Sequence, residues 1–438
     1  MTSLGQLDLD SETAFALLPE LVMLAGVLAI IVIPNLGDAK FRLPLTRIRI
    51  PILVGGSRLE STNDPRLPNR IATLTFSVAF AASLLMIDSS SEEVGGLLRS
   101  DAFSRLFSAI FIGALLLVSA ATTHRIPAKQ NAAVPKEDDS ESIASRKISV
   151  LMDNRRQVDF HILLIMVGLG MSLMAMSTNL FMLVVCIELA SLSTYVLVAF
   201  HKEEEVGGEA GAKYFIVGSA ASAVGIYGMS LLYLWSGDLA LESLAIKWAE
   251  MQGIDPFAAF GIGLMMVAFG FKVSAAPFHL AIPDAYSGTS SMVAGVLATA
   301  SKAMGFVALF RLLLTIAMPA SGAAFWYGTL AVISVITMTW GNLAALSSDN
   351  PKRIFAYSSV AHAGYMLAAV AAIGSGIADP SAQELIVMAV IFHLCVLVLF
   401  KMGPFMILSS IEREGSSHRV SGLNGLASRD PLLAASMF

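Results

Sequence analysis

The sequence has little charge and almost no cysteine. Only 14% of its 438 residues are Asp, Glu, Lys or Arg, whereas 56% are hydrophobic. The two cysteines, Cys186 and Cys395, are too few and too far apart for a disulfide framework or a metal site. The sequence also has no glycine-rich phosphate loop, no HExxH pair and no CxxC pair. It therefore gives no motif for nucleotide, metalloprotease or heme chemistry, and its composition is typical of a membrane protein.

Long apolar segments recur along the chain. A helix needs ~20 apolar residues to cross a hydrocarbon core of ~30 Å, and no run shows the alternating ~10-residue strands of an outer-membrane barrel. The sequence predicts an all-α, polytopic transmembrane bundle of eleven complete helices. The predicted segments are 14–34, 71–88, 102–121, 159–176, 180–199, 213–236, 257–276, 290–317, 323–347, 353–375 and 384–410. A twelfth begins at Pro431, so we expect a chain that is truncated at its C-terminus.

The positive charges are distributed unevenly among the connections. Of the 28 Lys and Arg residues, 21 fall in the odd-numbered connections and four lie inside apolar segments; the other three are Arg99, Arg105 and Lys247. Because cytoplasmic loops are enriched in Lys and Arg, we expect cytoplasmic odd-numbered loops, an N-terminus outside, and a multi-pass protein of the cell inner (plasma) membrane. The first segment follows acidic residues and no basic one, so it is interpreted as a retained helix rather than a signal peptide.

Two long polar connections divide the chain. Residues 35–70 and 122–158 are predicted to be cytoplasmic and partly disordered, either as solvated insertions or as docking sites for a partner. They separate a three-helix region at 1–121 from a compact body that starts at residue 159. Within this body, GSAASAVG and GTSSMVAGVLATASKAMG are rich in small residues, which favours helices packed inside the bundle.

Glu188 and Lys272 are charged residues deep within apolar segments. Such a residue costs at least ~2.5–3.5 kcal/mol at the bilayer centre, which favours an ion or proton pathway over a structural ion pair. Lys272 lies five residues before Pro277. Because proline lacks the helical N–H, we expect the helix to break between Ser274 and Phe278. Such breaks occur in membranes where protein or water satisfies the backbone.

Further titratable residues occur on the following segments. Five of them lie in or next to predicted membrane helices: His279, Lys302, His362, His393 and Lys401. A single histidine there is more often a hydrogen-bonded core residue, but a series of titratable groups favours a proton chain. Pro404, three residues after Lys401, suggests a second local distortion.

Three other cations have a simpler interpretation. Arg311 lies near the end of its segment, and Lys352 and Arg353 lie at the start of theirs. We expect all three to have structural or topological roles at the membrane surface.

Several of these stretches resemble the antiporter-like membrane subunits of respiratory complex I, NADH:quinone oxidoreductase. They are GFKVSAAPFHLAIPDAY, GSAASAVGIYGMSLLY, ATASKAMGFVALFR, CIELASLSTYVLVAF and DNPKRIFAYSSVAHAGYMLAAV. The PDAY and AYSSVAHAGY stretches favour the subunit N type. The resemblance covers most of residues 14–438, with 35–70 and 122–158 as apparent insertions.

The resemblance implies a fold of fourteen helices with two inverted repeats, each containing a broken helix. The first repeat would be 159–317, and an incomplete second would be 323–438. It also implies proton translocation driven by quinone reduction in partner subunits, with a proton path through the residues that match the family's motifs: Glu188, Lys272, Lys302 and His362, to which we add Lys401.

For cofactors and partners, the resemblance implies neither cofactor nor metal in this chain. Quinone, flavin and iron–sulfur clusters would belong to partner subunits, and the chain alone would catalyse no redox reaction. The expected partners are other membrane subunits of complex I, including neighbouring antiporter-like ones, and membrane lipid, with no nucleic acid.

The sequence departs from the family pattern at three places. After the break, Ala281 replaces a tryptophan and SGTSSM replaces a proline-containing continuation; Lys401 stands where a neutral residue is usual; and the chain ends where the twelfth helix is expected to begin. Two alternatives therefore remain: an Mrp-type cation/proton antiporter subunit, and a non-conducting scaffold subunit.

Overall fold

A computed structural model describes most of the chain. The described residues are 11–33, 40–42, 49–51, 66–122, 143–201, 205–251, 253, 255–313, 323–374, 380–413 and 419–437. Most of the first long connection, including 52–65, and residues 123–142 of the second lie outside the described residues. Partial disorder there stays a prediction.

The described elements are mainly helices. The N-terminal part contains α1 Ser11–Ala16, α2 Leu18–Val32, β1 Lys40–Arg42, β2 Arg49–Pro51, α3 Leu67–Leu85, β3 Glu92–Val94, β4 Leu98–Ser100 and α4 Ala102–Ala121. Strands β1 and β2 pair antiparallel, as do β3 and β4. The central part contains α5 Ile143–Met176, α6 Leu180–Val198, α7 Glu205–Ser236, α8 Leu241–Ala249 and α9 Pro256–Val273.

The C-terminal part includes two irregular turns. Its helices are α10 Ile282–Gly288, α11 Ser291–Val296, α12 Lys302–Leu312, α13 Ala323–Leu346, α14 Pro351–Ile373, α15 Pro380–Arg413, α16 Leu426–Arg429 and α17 Pro431–Ser436. A π-helical turn, Leu297–Ser301, joins α11 to α12, and a 3₁₀ turn, Val420–Leu423, precedes α16.

The prediction of a helical membrane bundle is confirmed. Each of the eleven predicted segments contains a described helix, and the twelfth starts at Pro431 as α17. Within the described ranges, nine helices are long and apolar enough to cross a membrane, with α11, the π turn and α12 counted as one; α2 is apolar but shorter. Helix α15 continues through Pro404, so the expected distortion does not interrupt it.

The polar connection at 122–158 ends earlier than predicted. Helix α5 already begins at Ile143, so residues 143–158 are helix rather than loop. Lys, Arg, Gln, Leu and Met are good helix formers, and a helix that leaves the membrane can continue in water with charged residues. A prediction based on hydrophobicity locates the apolar boundary and not the helix end.

The prediction about small residues is correct for one stretch and half correct for the other. The span Ser291–Leu312 is buried along its whole length, between α4, α9 and α15. Helix α7, which carries GSAASAVG, is buried over only a third of its apolar window. Its glycines Gly218, Gly225 and Gly228 form a buried stripe, while the opposite face is exposed. Small residues here mark one contact face and not an interior helix.

Candidate functional site

Lys272 lies where α9 ends, at the predicted break. The helix ends at Val273, and Ser274 follows with a left-handed φ of 67°. Lys272 is only 7% exposed, and its Nζ donates hydrogen bonds to Ser191 Oγ at 2.5 Å and Tyr195 Oη at 3.1 Å. These two hydroxyls are one turn apart on α6 and so face the same neighbour. The buried ammonium is therefore bound by hydroxyl oxygens rather than by a carboxylate.

Glu188 lies one turn before Ser191 on α6. Its Oε1 accepts a hydrogen bond from Ser222 Oγ of α7 at 2.6 Å. In the described structure Glu188 and Lys272 form no ion pair within 4.0 Å; instead both line one small cleft between α6, α7 and α9. The cleft has room for about one water molecule. The two residues therefore interact across a shared cleft and not by direct contact.

The chain after α9 is held by a neighbouring helix. Ala276 N donates to Thr337 Oγ1 of α13 at 2.9 Å, and a cis peptide bond leads to Pro277. His279 in this segment is 2% exposed and stands edge-on to Trp340, with ring centroids 5.8 Å apart. Neither ring nitrogen of His279 has a hydrogen-bond partner among the described residues. Since buried polar groups are normally hydrogen-bonded to protein or water, His279 needs water or a further polar partner at this position.

Lys302 is buried at the start of α12. It directly follows the π-helical turn Leu297–Ser301, a rare conformation that is frequent at functional sites. Its Nζ donates to the carbonyl of Ser359 on α14 at 2.7 Å. A Cβ on Gly305, one turn further, would lie 2.9 Å from the carbonyl carbon of Lys272. The missing side chain at Gly305 therefore allows α12 to contact the end of α9.

Lys401 and two histidines lie next to the site of Lys302. Lys401 Nζ donates to Ser358 Oγ at 2.5 Å, so the two lysines bind consecutive residues of α14. One turn further, His362 Nδ1 lies 3.2 Å from His393 Nε2 of α15, and the rings are stacked. Two neutral imidazoles form this bond only when one nitrogen carries the hydrogen and the other does not. The contact therefore couples the tautomers of the two rings.

The five predicted site residues thus fall into two clusters. Glu188 and Lys272 share the cleft, whereas Lys302, His362 and Lys401 gather around one face of α14, and Gly305 connects the clusters. Sequence reasoning missed the residues that hold the lysines. They are Ser191, Tyr195, Ser222, Ser358 and Ser359. The spacing of Ser191 and Tyr195 from Glu188, three and seven residues on one helix, would have indicated the first two.

Lys352 is buried within the protein at the start of α14 and has a structural role. It is 5% exposed, its Nζ is 2.8 Å from Glu412 Oε1, and it donates to the carbonyl of Thr289 at 2.7 Å. Hydrophobicity gives no sign of this pair, because its members are sixty residues apart. Arg353 is partly exposed and binds Asp284, which agrees with a surface role.

Arg311 has a structural role near the end of α12. Its side chain is 15% exposed, Nη2 donates to the carbonyl of Ala175 at 2.7 Å, and Asp101 Oδ2 is 4.0 Å away. Arg311 therefore ties the end of α12 to α4 and α5. Across the described ranges, no group of three or more His, Cys, Asp and Glu is placed to hold a metal ion.

Known proteins are similar to this chain over most of its length. Residues 177–438 match the family described as NADH:quinone oxidoreductase/Mrp antiporter, TM. NADH-quinone oxidoreductase subunit N 2 of Syntrophobacter fumaroxidans is 33% identical over 381 residues, which cover 86% of this chain and 72% of the relative. Subunit N of Heliobacterium modesticaldum is 38% identical over 65% of this chain, and there the match spans only 57% of the relative.

Solved structures of related membrane complexes have a fold similar to that of this chain. A chain of respiratory complex I from Thermus thermophilus with bound aureothin has a TM-score of 0.67 and 27% identity, covering 95% of this chain and 76% of that one. A chain of the Mrp complex from Dietzia has a TM-score of 0.73 at 21% identity, covering 98% of this chain and 70% of that one; it shares the fold. The chain therefore belongs to the NADH:quinone oxidoreductase/Mrp antiporter transmembrane family, and within it to the subunit N type.

Proposed function

We propose that this chain is a proton-translocating membrane subunit of a complex I-type NADH:quinone oxidoreductase. The observation that carries the proposal is a set of three lysines buried in membrane helices: Lys272, Lys302 and Lys401. None forms an ion pair with a carboxylate within 4.0 Å in the described structure; each binds a hydroxyl or carbonyl oxygen instead. The protonation of such a lysine depends strongly on nearby charge, which is the property a proton carrier needs.

The two clusters suggest how a proton would move. In the first, a charge on Glu188 across the cleft favours the protonated form of Lys272, and loss of that charge favours its release. In the second, Lys302 receives the proton beside α14, and Lys401 and His362 continue the path. Moving one charge against 100 mV requires ~2.3 kcal/mol. We propose that quinone reduction in partner subunits supplies this free energy.

The remaining parts of the proposal concern the surroundings of the chain. Flavin, iron–sulfur clusters and quinone would be bound by partner subunits, with neighbouring antiporter-like subunits in the membrane beside this one. The orientation would follow the positive charges, with the N-terminus outside and the odd-numbered loops in the cytoplasm. The chain itself would perform no redox step.

The test replaces Lys272 by Met in the intact complex, in inverted membrane vesicles. Quinone reduction and proton uptake are measured together, and we expect fewer protons per electron in the variant. Lys247→Met is the matched control, because this lysine lies on α8 outside the spans and donates to the carbonyl of Trp235. Unchanged pumping per electron in an assembled Lys272→Met complex would refute the proton path and favour a scaffold.

The same vesicles distinguish the antiporter alternative. Sodium-dependent proton movement without any quinone reductase present would identify a cation/proton antiporter subunit. We expect no such movement, and we expect that proton uptake stops when quinone reduction is inhibited.

A further inference from the structure

A buried ion pair closes one end of the bundle. Lys352 at the start of α14 and Glu412 at the end of α15 are 2.8 Å apart, with side chains 6% and 16% exposed. Lys352 also donates to the carbonyl of Thr289, and the other Glu412 oxygen accepts from the backbone N–H of Ser291 at 3.2 Å. The pair therefore joins α14 and α15 to the start of α11. By the positive-charge rule this is the cytoplasmic end.

Two buried hydroxyls lie next to this pair. Ser291 and Ser409 are almost fully buried; the Ser291 hydroxyl lies beside the Glu412 carboxylate, and Ser409 Oγ has no hydrogen-bond partner within the described ranges. An unsatisfied buried polar group costs ~1–3 kcal/mol, so such groups are normally satisfied by ordered water. These two hydroxyls and the carboxylate form a small polar pocket under the ion pair, where such water would bind.

Helices α11 and α15 both run from this pocket towards the lysines. A Cβ on Gly295 would lie 2.9 Å from Met402 Sδ and 3.4 Å from Phe405 Cβ, so α11 and α15 are in close contact here. Along α15, Ser409 lies between this contact and Glu412. Lys302 follows Ser291 by eleven residues, and Lys401 precedes Glu412 by eleven. At 1.5 Å per residue, the ion pair is ~16 Å from the lysines along both helices.

An aromatic cluster separates the pocket from the lysines. Phe405 is buried, and its ring centroid is 6.0 Å from that of Tyr286 and 5.7 Å from that of Phe355. Beyond it lies Ser359, whose carbonyl accepts a hydrogen bond from Lys302. Polar groups thus lie on both sides of one apolar constriction.

We propose that Glu412, held by Lys352, is the group that takes up protons from the cytoplasmic side for Lys302. Its carboxylate accepts a proton from hydronium or a protonated buffer molecule and becomes a neutral carboxyl, which weakens its bond to Lys352. The proton then passes along water held by Ser291 and Ser409, crosses the constriction at Phe405, and ends on the neutral amine of Lys302 as an ammonium. This inference rests on the proposed function and gives it a point of uptake.

The main test is the double variant Lys352→Met/Glu412→Gln in the intact complex. Breaking a buried ion pair by removing one partner is strongly destabilising, whereas replacing both partners by neutral groups is often tolerated. A purely structural pair predicts an assembled double variant that pumps as the wild type does. The proposal predicts an assembled double variant whose proton uptake per electron falls at least ~3-fold. Wild-type pumping by this variant would overturn the proposal.

A second variant covers the case in which the double variant does not assemble. Ser409→Ala removes a hydroxyl and leaves the ion pair intact, with Ser410→Ala as its neighbour control, since Ser410 Oγ already donates to the carbonyl of Met406. We expect slower proton uptake for Ser409→Ala alone, and equal rates for the two variants would overturn the proposal. The Lys272→Met result separates the two ideas. If Lys272→Met pumps fewer protons per electron while the Glu412 and Ser409 variants pump normally, only Glu412 as the uptake point is rejected. If Lys272→Met itself pumps normally, the proposed function is rejected.

Discussion

Gly228 sets the distance between α7 and α9, and an alanine there should destabilise the protein. A Cβ at this position would lie 2.7 Å from the carbonyl oxygen of Gly261 and 3.0 Å from the amide nitrogen of Met265. Both are backbone atoms of α9 and cannot rotate away. The two helices would have to separate by about 0.7 Å to restore an ordinary contact of 3.4 Å.

Two opposing effects determine the size of the change. Alanine is favoured over glycine inside a helix by about 0.5–1 kcal/mol, whereas overpacking costs about 1–3 kcal/mol. We therefore expect Gly228→Ala to lower the free energy of unfolding by about 0.5–2 kcal/mol. Gly328→Ala is the control: a Cβ on this glycine of α13 meets nothing within 4 Å, so we expect a gain of about 0.5–1 kcal/mol from helix propensity alone.

The assay compares the thermal stability of the two purified variants in the same detergent. A difference of 1 kcal/mol shifts Tm by about 2–4 °C in a chain of 150–250 residues and by less in one of this length, so Gly228→Ala should melt a few degrees below Gly328→Ala. Proton pumping should fall as well, because α7 carries Ser222, whose hydroxyl binds Glu188 at 2.6 Å. If Gly228→Ala melts at or above the temperature of Gly328→Ala, the argument from backbone contact is wrong.

Two further substitutions test the polar contacts at the helix ends. Asp284→Asn removes the anion that binds Lys213 at 2.9 Å and also binds Arg353; because both cations are more than 40% exposed, we expect a loss of only about 1 kcal/mol in a melting experiment. Arg105→Met removes three hydrogen bonds to carbonyls of the 86–90 turn from a side chain that is almost fully buried; we expect a loss of about 3 kcal/mol or more, with Arg105→Lys intermediate.

The membrane segments and the broken helix were predictable from the sequence. Lipid requires long apolar helices, and their length and composition can be counted without knowing what they contact. The break near Pro277 followed from the missing N–H of proline, and α9 ends within four residues of it. These features depend on local chemistry and on the bilayer, so they can be located from the sequence alone.

The contacts between helices were not predictable in the same way. Which hydroxyl meets which lysine depends on the rotation and axial position of each helix, and these are set by close contacts such as the one at Gly305. The pair Lys352 and Glu412 is an example, because each residue alone resembles an interfacial charge. Glu188 and Lys272 have opposite charges, but a cleft separates them, and their residue types alone do not indicate this.

The three buried lysines of the proposed proton path, Lys272, Lys302 and Lys401, each lie beside an irregularity in a helix. Lys272 is two residues before the left-handed Ser274, and Lys302 directly follows the π turn. Lys401 is three residues before Pro404, whose missing N–H leaves the carbonyl of Phe400 without its helical donor. Irregular backbone is stable at membrane depth only where protein or water satisfies the released groups, and a buried ammonium has the same requirement. One polar or hydrated site meets both needs, so helix irregularities mark the places where this bundle can hold a titratable cation, and a proton path between them requires water only across the short apolar stretches that remain.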